Sequence, residues 1–219
     1  LAIGLATFAL SSIWLKYELT YDTHWPDAER IYQVGMLREG KIEQFNRYLF
    51  PPIADGLKQQ YPEVEEACAF YTTTHAIGKV AHILVDTTYS RIFPQTILKG
   101  TNQFLYQPGM AGITESAAKR LFGTTDVLGD TIRGVQDKLT ICALLKDATN
   151  HSNYPYDVII RYVNDRRNWH SFSTYTFVKL VPGVDIKTLD DKMKQFEIIE
   201  TNEYFLPSSL TPMKSVTKR

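Results

Sequence analysis

An excess of charge of either sign is missing from this sequence. Across 219 residues, lysine plus arginine and aspartate plus glutamate number 24 each, so the summed field has no sign with which to draw in a phosphate backbone. Nucleic acid is therefore not an expected partner. Cysteine is scarce as well: Cys68 and Cys142 both lie in apolar, strand-like runs, which suits small buried side chains better than a disulfide framework, although one bridge between them stays open. There is no CxxC pair and no HExxH, and the five histidines are scattered, His75 and His82 falling in a strand-rich stretch. No metal cage is expected from such spacing. Neither GxxxxGK[ST] nor GxGxxG occurs, so this chain is not expected to cradle nucleotide phosphates, and any ATP must be handled by another chain or segment. Low-complexity stretches and solenoid repeats are absent too. What is present is 44% hydrophobic and 12% aromatic side chains, enough for a packed core in one domain or two small ones.

The opening segment, Leu1 to Leu15 (LAIGLATFALSSIWL), carries no charge. Its polar side chains, Thr7, Ser11 and Ser12, can bond back to helix carbonyls. As a helix rising about 1.5 Å per residue it covers only about 22 Å of a hydrocarbon core roughly 30 Å thick. With Leu rather than Met at position 1, residues 1–16 are expected to be part of a transmembrane helix whose start is missing. Phe8 and Ile13 are expected to belong to the membrane anchor and stalk. Trp14 and Tyr17, with Lys16 between them, have the character of an interfacial anchor. A cleaved signal peptide fits less well, because the apolar run passes into Lys16-Tyr17-Glu18 rather than into a small-residue site. A buried core helix fits less well because the segment is apolar on every side rather than striped.

Beyond Asp22 the pattern alternates strands with short helices. Arg30 to Leu37 is rich in β-formers, and Glu39-Gly40 turns it into a second extended piece at Ile42 to Leu49, a predicted hairpin. Pro51-Pro52 open a helix with Ile53, Leu57 and Tyr61 on one face and Pro62 at its end; Val64 to Thr73 returns as a strand. Ser173 to Val181, a helix capped by Asp185 with Ile186, Leu189, Met193 and Phe196 inward, and a strand at Tyr204 to Leu210 repeat that order. Two split β-α-β units pair into a ferredoxin-like layer of four antiparallel strands under two helices. The expected class is α+β: a ferredoxin-like, porter-type subdomain made of 17–74 and 169–219, with an inserted mixed α/β subdomain at 75–168. The insertion holds strands at Ala81 to Thr87 and Leu139 to Leu145, and a helix at Glu115 to Phe122 with Thr114 as cap and Gly123 as terminator.

Three local patterns invite a chemical reading. Ser116-Ala-Ala-Lys119 matches the SxxK nucleophile pair of serine acyltransferases, but SDN and KTG are missing, which favours a plain solvent-facing helical turn. Arg166, Arg167 and Trp169 place two guanidinium groups beside an aromatic ring, a possible partner surface or simply a solvated connection. Asp147 to Asn153 (DATNHSN) reads as turn chemistry between two strands. No catalytic, cofactor or metal-binding residue is assigned.

Five landmarks, in order, carry a family resemblance: a membrane helix running into Glu18-Leu19-Thr20-Tyr21-Asp22; Ala28-Glu29-Arg30-Ile31-Tyr32; Ile113 to Gly123 (ITESAAKRLFG); Leu145-Lys146-Asp147 with Asn150 and Ser152; and Leu210-Thr211-Pro212-Met213. Together they resemble the periplasmic core domain of MacB/FtsX-type ABC transporter permeases, especially the branch found in Bacteroidetes. The resemblance implies a non-enzymatic ectodomain in the periplasm, on a permease of the bacterial inner membrane. It also implies a cytoplasmic ATP-binding subunit, a second permease copy, and a periplasmic partner or cargo that no residue identifies. The helix from Ile13 through Leu19 would be the rigid stalk that passes ATP-driven movement to the ectodomain. The alternatives are a membrane-anchored sensor or regulator ectodomain, for example one controlling a cell-wall hydrolase, and a membrane-bound serine acyltransferase using Ser116 and Lys119.

Overall fold

The computed structural model describes residues 2–38, 44–77, 80–133, 138–149, 152–162, 173–193 and 209–212. In chain order the elements are α1 (Ala2–Leu19), β1 (Ile31–Arg38), β2 (Gln44–Asn46), β3 (Tyr48–Leu49), α2 (Ile53–Gln60), β4 (Val64–Ile77), β5 (Val80–Val85), α3 (Tyr89–Ile92), β6 (Ile97–Gly100), β7 (Met110–Thr114), α4 (Glu115–Phe122), β8 (Thr131–Arg133), β9 (Lys138–Leu145), β10 (Val158–Arg161), β11 (Thr174–Leu180), α5 (Ile186–Met193) and β12 (Ser209–Pro212). They form a mixed α/β fold on a mixed sheet of 12 strands in the order β12-β1-β11-β4-β5-β10-β7-β9-β6, with β2 on β1, β3 on β11 and β8 on β9.

Local sequence explains much of this. The hairpin forms with Met36 opposite Asn46 and Arg38 opposite Gln44; its connecting residues lie outside the described ones. The Pro51-Pro52 pair precedes α2, which buries Ile53, Ala54 and Leu57, and the Tyr61 N–H closes it on the Leu57 carbonyl at 3.1 Å. Helix α4 has both its ends written in the sequence. The Thr114 hydroxyl accepts from the Ala117 N–H, and Gly123, at φ 73°, takes the left-handed position that a side chain resists. Asp185 caps α5, accepting from the Lys187 N–H at 3.1 Å and the Thr188 hydroxyl at 2.6 Å. Leu189 and Met193 face inward as expected, whereas Phe196 and the first part of the expected closing strand, 204–208, lie outside the described residues.

Strand β4 is the structural hinge of the sheet. Val64 to Phe70 pair antiparallel with β11, and Phe70 to Thr73 pair antiparallel with β5, so Phe70 stands opposite both Tyr175 and Val85. On one side of it, β12, β1, β11 and β4 are antiparallel to each neighbour, with α2 and α5 on one face. A core of Val34, Leu49, Leu57, Ala69, Val178 and Met193 lies between helices and strands. On the other side β5 and β10 run parallel, as do β7 and β9, and α4 seals Ala117 and Ala118 against Ile113, Ile141 and Val158. Between the two lies an aromatic core in which Phe70 stacks on Phe177 (centroids 5.5 Å, planes 8° apart) and Phe93 stands edge-on to Phe177 at 5.4 Å. Edge-on and offset rings add about 0.5–1.5 kcal/mol per pair to the area they bury.

Strands β6, β7, β8 and β10 were not expected from the sequence. β7 and β10 are short buried runs without alternation, and β8 is only three residues long. β6 ends at Gly100, which sits at φ +87° with no room for a side chain: a Cβ would lie 2.1 Å from the Cys142 carbonyl oxygen. Both cysteines are free, Cys68 fully within the aromatic core. Gly100→Ala is expected to cost on the order of 2–4 kcal/mol through strain and displaced backbone. The fall is measured as a lower urea midpoint for the detergent-solubilised chain; an unchanged midpoint would show that the β6–β9 contact contributes nothing.

Candidate functional site

The feature that distinguishes this chain from an ordinary α/β domain is how its first helix enters it. Helix α1 is 18 residues long and exposes apolar side chains all round: Ile3 is 85% exposed, Phe8 72% and Ile13 67%. Trp14 and Tyr17 are exposed as well, Lys16 lies in the last turn, and Leu19 ends the helix. Hence the residues expected to form anchor and stalk, Phe8, Ile13, Trp14, Lys16, Tyr17 and Leu19, share one continuous helix. Arg166, Arg167 and Trp169, the other candidate surface, lie outside the described residues. Among the described residues no helix is long and apolar enough to cross a membrane.

The helix stops within a turn. The Thr20 hydroxyl turns back to the carbonyls of Lys16 and Tyr17, each at 3.0 Å, competing for the last helical acceptors, and Tyr21 meets Tyr17 edge-on at 5.6 Å. Asp22 then adopts a left-handed backbone (φ 55°) and is completely buried. Its carboxylate accepts the side-chain N–H of Asn153 at 2.7 Å and the Asn153 backbone N–H at 3.2 and 3.3 Å. Three residues on, Trp25 packs edge-on against Phe93 at 5.2 Å and so joins the aromatic core, to which Tyr154 also belongs through Phe177 at 5.6 Å. Asp27 is the second left-handed residue (φ 58°). It pairs with Lys179 at 2.5 Å and Arg30 at 3.0 Å. Arg30 in turn reaches Glu65 and the Leu180 carbonyl, and Lys179 reaches Glu65 at 3.6 Å. Residues 22–27 are thus a strap pinned at one end to the loop between β9 and β10 and at the other to β4 and β11.

Beside the strap lies a cleft of about 460 Å³. His24, Trp25 and Pro26 form one wall, Pro94, Gln95 and Thr96 another, and Lys146 to Thr149 the third, with Tyr156 at the floor. Asp147 in that wall accepts the Ser116 N–H at 2.8 Å, tying the wall to the start of α4. The run from 147 to 153 therefore does more than turn the chain: its first residue holds α4 and its last holds Asp22 of the strap.

The geometry gives the SxxK pair no nucleophilic role. Lys119 is bound to Glu115 at 2.6 Å, and that hydrogen bond raises the lysine above its ordinary value, whereas a base for Ser116 needs a lowered one. Among the described residues no group of three His, Cys, Asp or Glu side chains could hold a metal ion.

The fold and this junction define a class: a mixed α/β domain carried on an apolar helix and lacking a catalytic constellation among its described residues. The chain belongs to the MacB-like periplasmic core domain family, whose model matches residues 1–196, α1 included. No curated protein matches it. Among solved structures it is similar to a domain of a candidate permease protein from Porphyromonas gingivalis, with 22% identity and a TM-score of 0.70 over 87% of this chain and 92% of that one. It is also similar to the periplasmic region of MacB from Actinobacillus actinomycetemcomitans (10% identity, TM-score 0.52, 76% and 82% covered). A third is the extracellular domain of the noncanonic ABC-type transporter YknZ from Gram-positive bacteria (14% identity, TM-score 0.51, 72% and 87% covered). At these identities the structures speak for the fold, and the family model for a MacB-like periplasmic core domain.

The charged end of the strap has a pH signature. Hydrogen bonding to Lys179 lowers Asp27, and hydrogen bonding to Arg30 lowers Glu65, below the usual carboxylate range. A carboxylate depressed in the folded state contributes stability that is complete above its unfolded pKa and lost as pH falls through its folded one. The double variant Asp27→Asn/Glu65→Gln is therefore expected to be less stable than the parent at pH 7. The gap in urea midpoint should close as pH falls below the carboxylate range; a gap independent of pH would mean that the quartet acts by packing alone.

Proposed function

We propose that this chain is the extracytoplasmic part of an ABC-type permease of the bacterial inner membrane, and that it couples ATP hydrolysis on a cytoplasmic ATP-binding subunit to movement of a periplasmic cargo or partner protein. The observation that carries this reading is α1: it is apolar on every side, exposed on every side, and continued without a flexible linker into a buried anchor at Asp22. A helix with no polar face has no stable place in water. In this reading α1 belongs to a lipid-embedded span, with Phe8 and Ile13 in hydrocarbon and Trp14, Lys16 and Tyr17 at the headgroups. The turns from Ile13 through Leu19 form the stalk, and a second permease copy completes the transporter.

The body divides, on this reading, into a porter-type subdomain (17–74 and 169–219) and an inserted one (75–168). Support comes from the strand order β12-β1-β11-β4 with antiparallel neighbours and two helices on one face, the order expected of two paired split β-α-β units. On this reading the division lies within β4, a few residues beyond Phe70, where its pairing passes from β11 to β5. Motion arriving through the strap would act on β4 and β11 through the Asp27 quartet and on the inserted subdomain through Asn153.

The test uses the complete permease with its ATP-binding subunit in lipid vesicles. A donor dye on Ser116→Cys, an exposed position on α4, reports distance to acceptor lipids in the bilayer. ATP is expected to change the transfer efficiency, and insertion of Gly-Gly-Ser after Leu19 is expected to abolish that change while ATP hydrolysis continues. A chain that stays in the soluble fraction, or an ATP response that survives the insertion, sinks the proposal.

A further inference from the structure

The two ends of the strap at 22–27 are held by unequal means, and the inequality has a mechanical consequence. Both ends are aspartates in the left-handed region, a conformation that a residue other than glycine keeps where surrounding contacts favour it. At Asp27 the enforcement is ionic: two cations, Lys179 at 2.5 Å and Arg30 at 3.0 Å, plus the Arg30 N–H on the Asp27 carbonyl at 2.8 Å. At Asp22 it is a single neutral residue. Among the described residues Asn153 supplies the polar contacts to this fully buried carboxylate and no cation pairs with it. A buried carboxylate without a countercharge gains a large hydration energy when it reaches water. Midway, the Trp25 indole N–H is buried with no acceptor among the described residues, a further group that gains a partner when the strap lifts.

We infer that Asp22 is the releasable end of the strap and Asp27 its fixed pivot, so that a pull on the stalk frees Asp22 from Asn153 first and swings Trp25 off Phe93, opening the cleft it walls. This rests on the coupling reading above and names the positioning residues of that coupling. Asp22, Trp25 and Asp27 touch no reacting group; they set where the stalk stands relative to the body. The freed Asn153 belongs to the loop whose Asp147 holds α4, so release at the strap is passed to the inserted half through one short segment.

The spectroscopic test does not depend on transport, so its failure is distinguishable from failure of the coupling reading. In the full permease in lipid vesicles, Trp14→Phe and Trp169→Phe leave Trp25 as the only indole of this segment, and any tryptophans elsewhere in the permease are likewise replaced by Phe. Asp22→Ala is expected to raise acrylamide quenching of Trp25 by about twofold or more, while Asp22→Asn, which keeps an acceptor and tolerates the left-handed backbone, and Asp27→Asn stay near the parent. Unchanged quenching in Asp22→Ala, or an equal rise in Asp27→Asn, overturns the assignment. Should Asp22→Ala fail to fold, hydrogen exchange on the unaltered protein decides. The Asn153 amide is expected to exchange about a hundredfold faster than the β4–β11 ladder amides, and equal protection overturns the inference.

Discussion

A helix that is apolar on every side has to be joined to the folded body within a few residues, and in this protein the joint is a buried carboxylate. Asp22 sits at the point where the exposed apolar surface of α1 ends and the aromatic core begins. Had the connection been a solvated linker, α1 could tumble independently of the sheet. Because the Asp22 carboxylate is fully enclosed and answered by Asn153, the helix direction is referred to the body through hydrogen bonds with lengths of 2.7 to 3.3 Å. Removing the acceptor would strand the Asn153 donors in a dry place, at about 1–3 kcal/mol, which is why the joint holds without an ion pair. The Asp27 quartet behind it is wetter and ionic, and is held by strands rather than by a loop.

The sheet is arranged to receive that reference on both of its halves. β4 is paired along its first half with β11 and along its second with β5, and Phe70 at the crossover touches Phe93, Phe177, Tyr89 and Tyr154. Trp25 meets the same cluster through Phe93. Packed aromatic interiors are stiff, since a ring cannot shift far without moving its neighbours. The aromatic core therefore acts as the solid against which the strap is pinned. The helices α2 and α5 on one side and α4 on the other keep their own apolar clusters and are insulated from it.

Much of the fold was legible because local signals and tertiary outcome agree. Thr114 and Gly123 bound α4, Pro51-Pro52 precede α2, and the apolar spacing of Ile53 and Leu57 or Leu189 and Met193 gave the buried faces correctly. Strands β7 and β10 escaped for a physical reason. Ala111 to Thr114 and Val158 to Ile160 are buried on both faces, so their sequences lack the alternation by which a half-exposed strand announces itself. The junction was half legible. Asp22, Asp147 and Ser152 stood out as family landmarks, but nothing local says that Asp22 and Asn153, 131 residues apart in the chain, will meet. An aspartate before threonine reads as a surface turn, and a turn is what its left-handed backbone makes; its burial is decided by the β9–β10 loop folding over it. The run from 147 to 153 likewise looks like solvated turn chemistry until its two ends are seen to hold α4 and Asp22.

The same comparison bears on where specificity could reside within this family fold. Solved relatives at 10 to 22% identity retain the architecture over more than 70% of this chain, so the sheet tolerates nearly complete replacement of its side chains. Apolar strand faces allow this, because burial asks only for volume and hydrophobicity. A buried carboxylate answered by one asparagine does not, since either partner alone is worse than neither. The junction therefore keeps an acceptor at position 22 for as long as Asn153 stands opposite it, a demand that the cleft residues at 94–96 do not share. On physical grounds the joint is the more constrained part of this domain and the cleft rim the adaptable one.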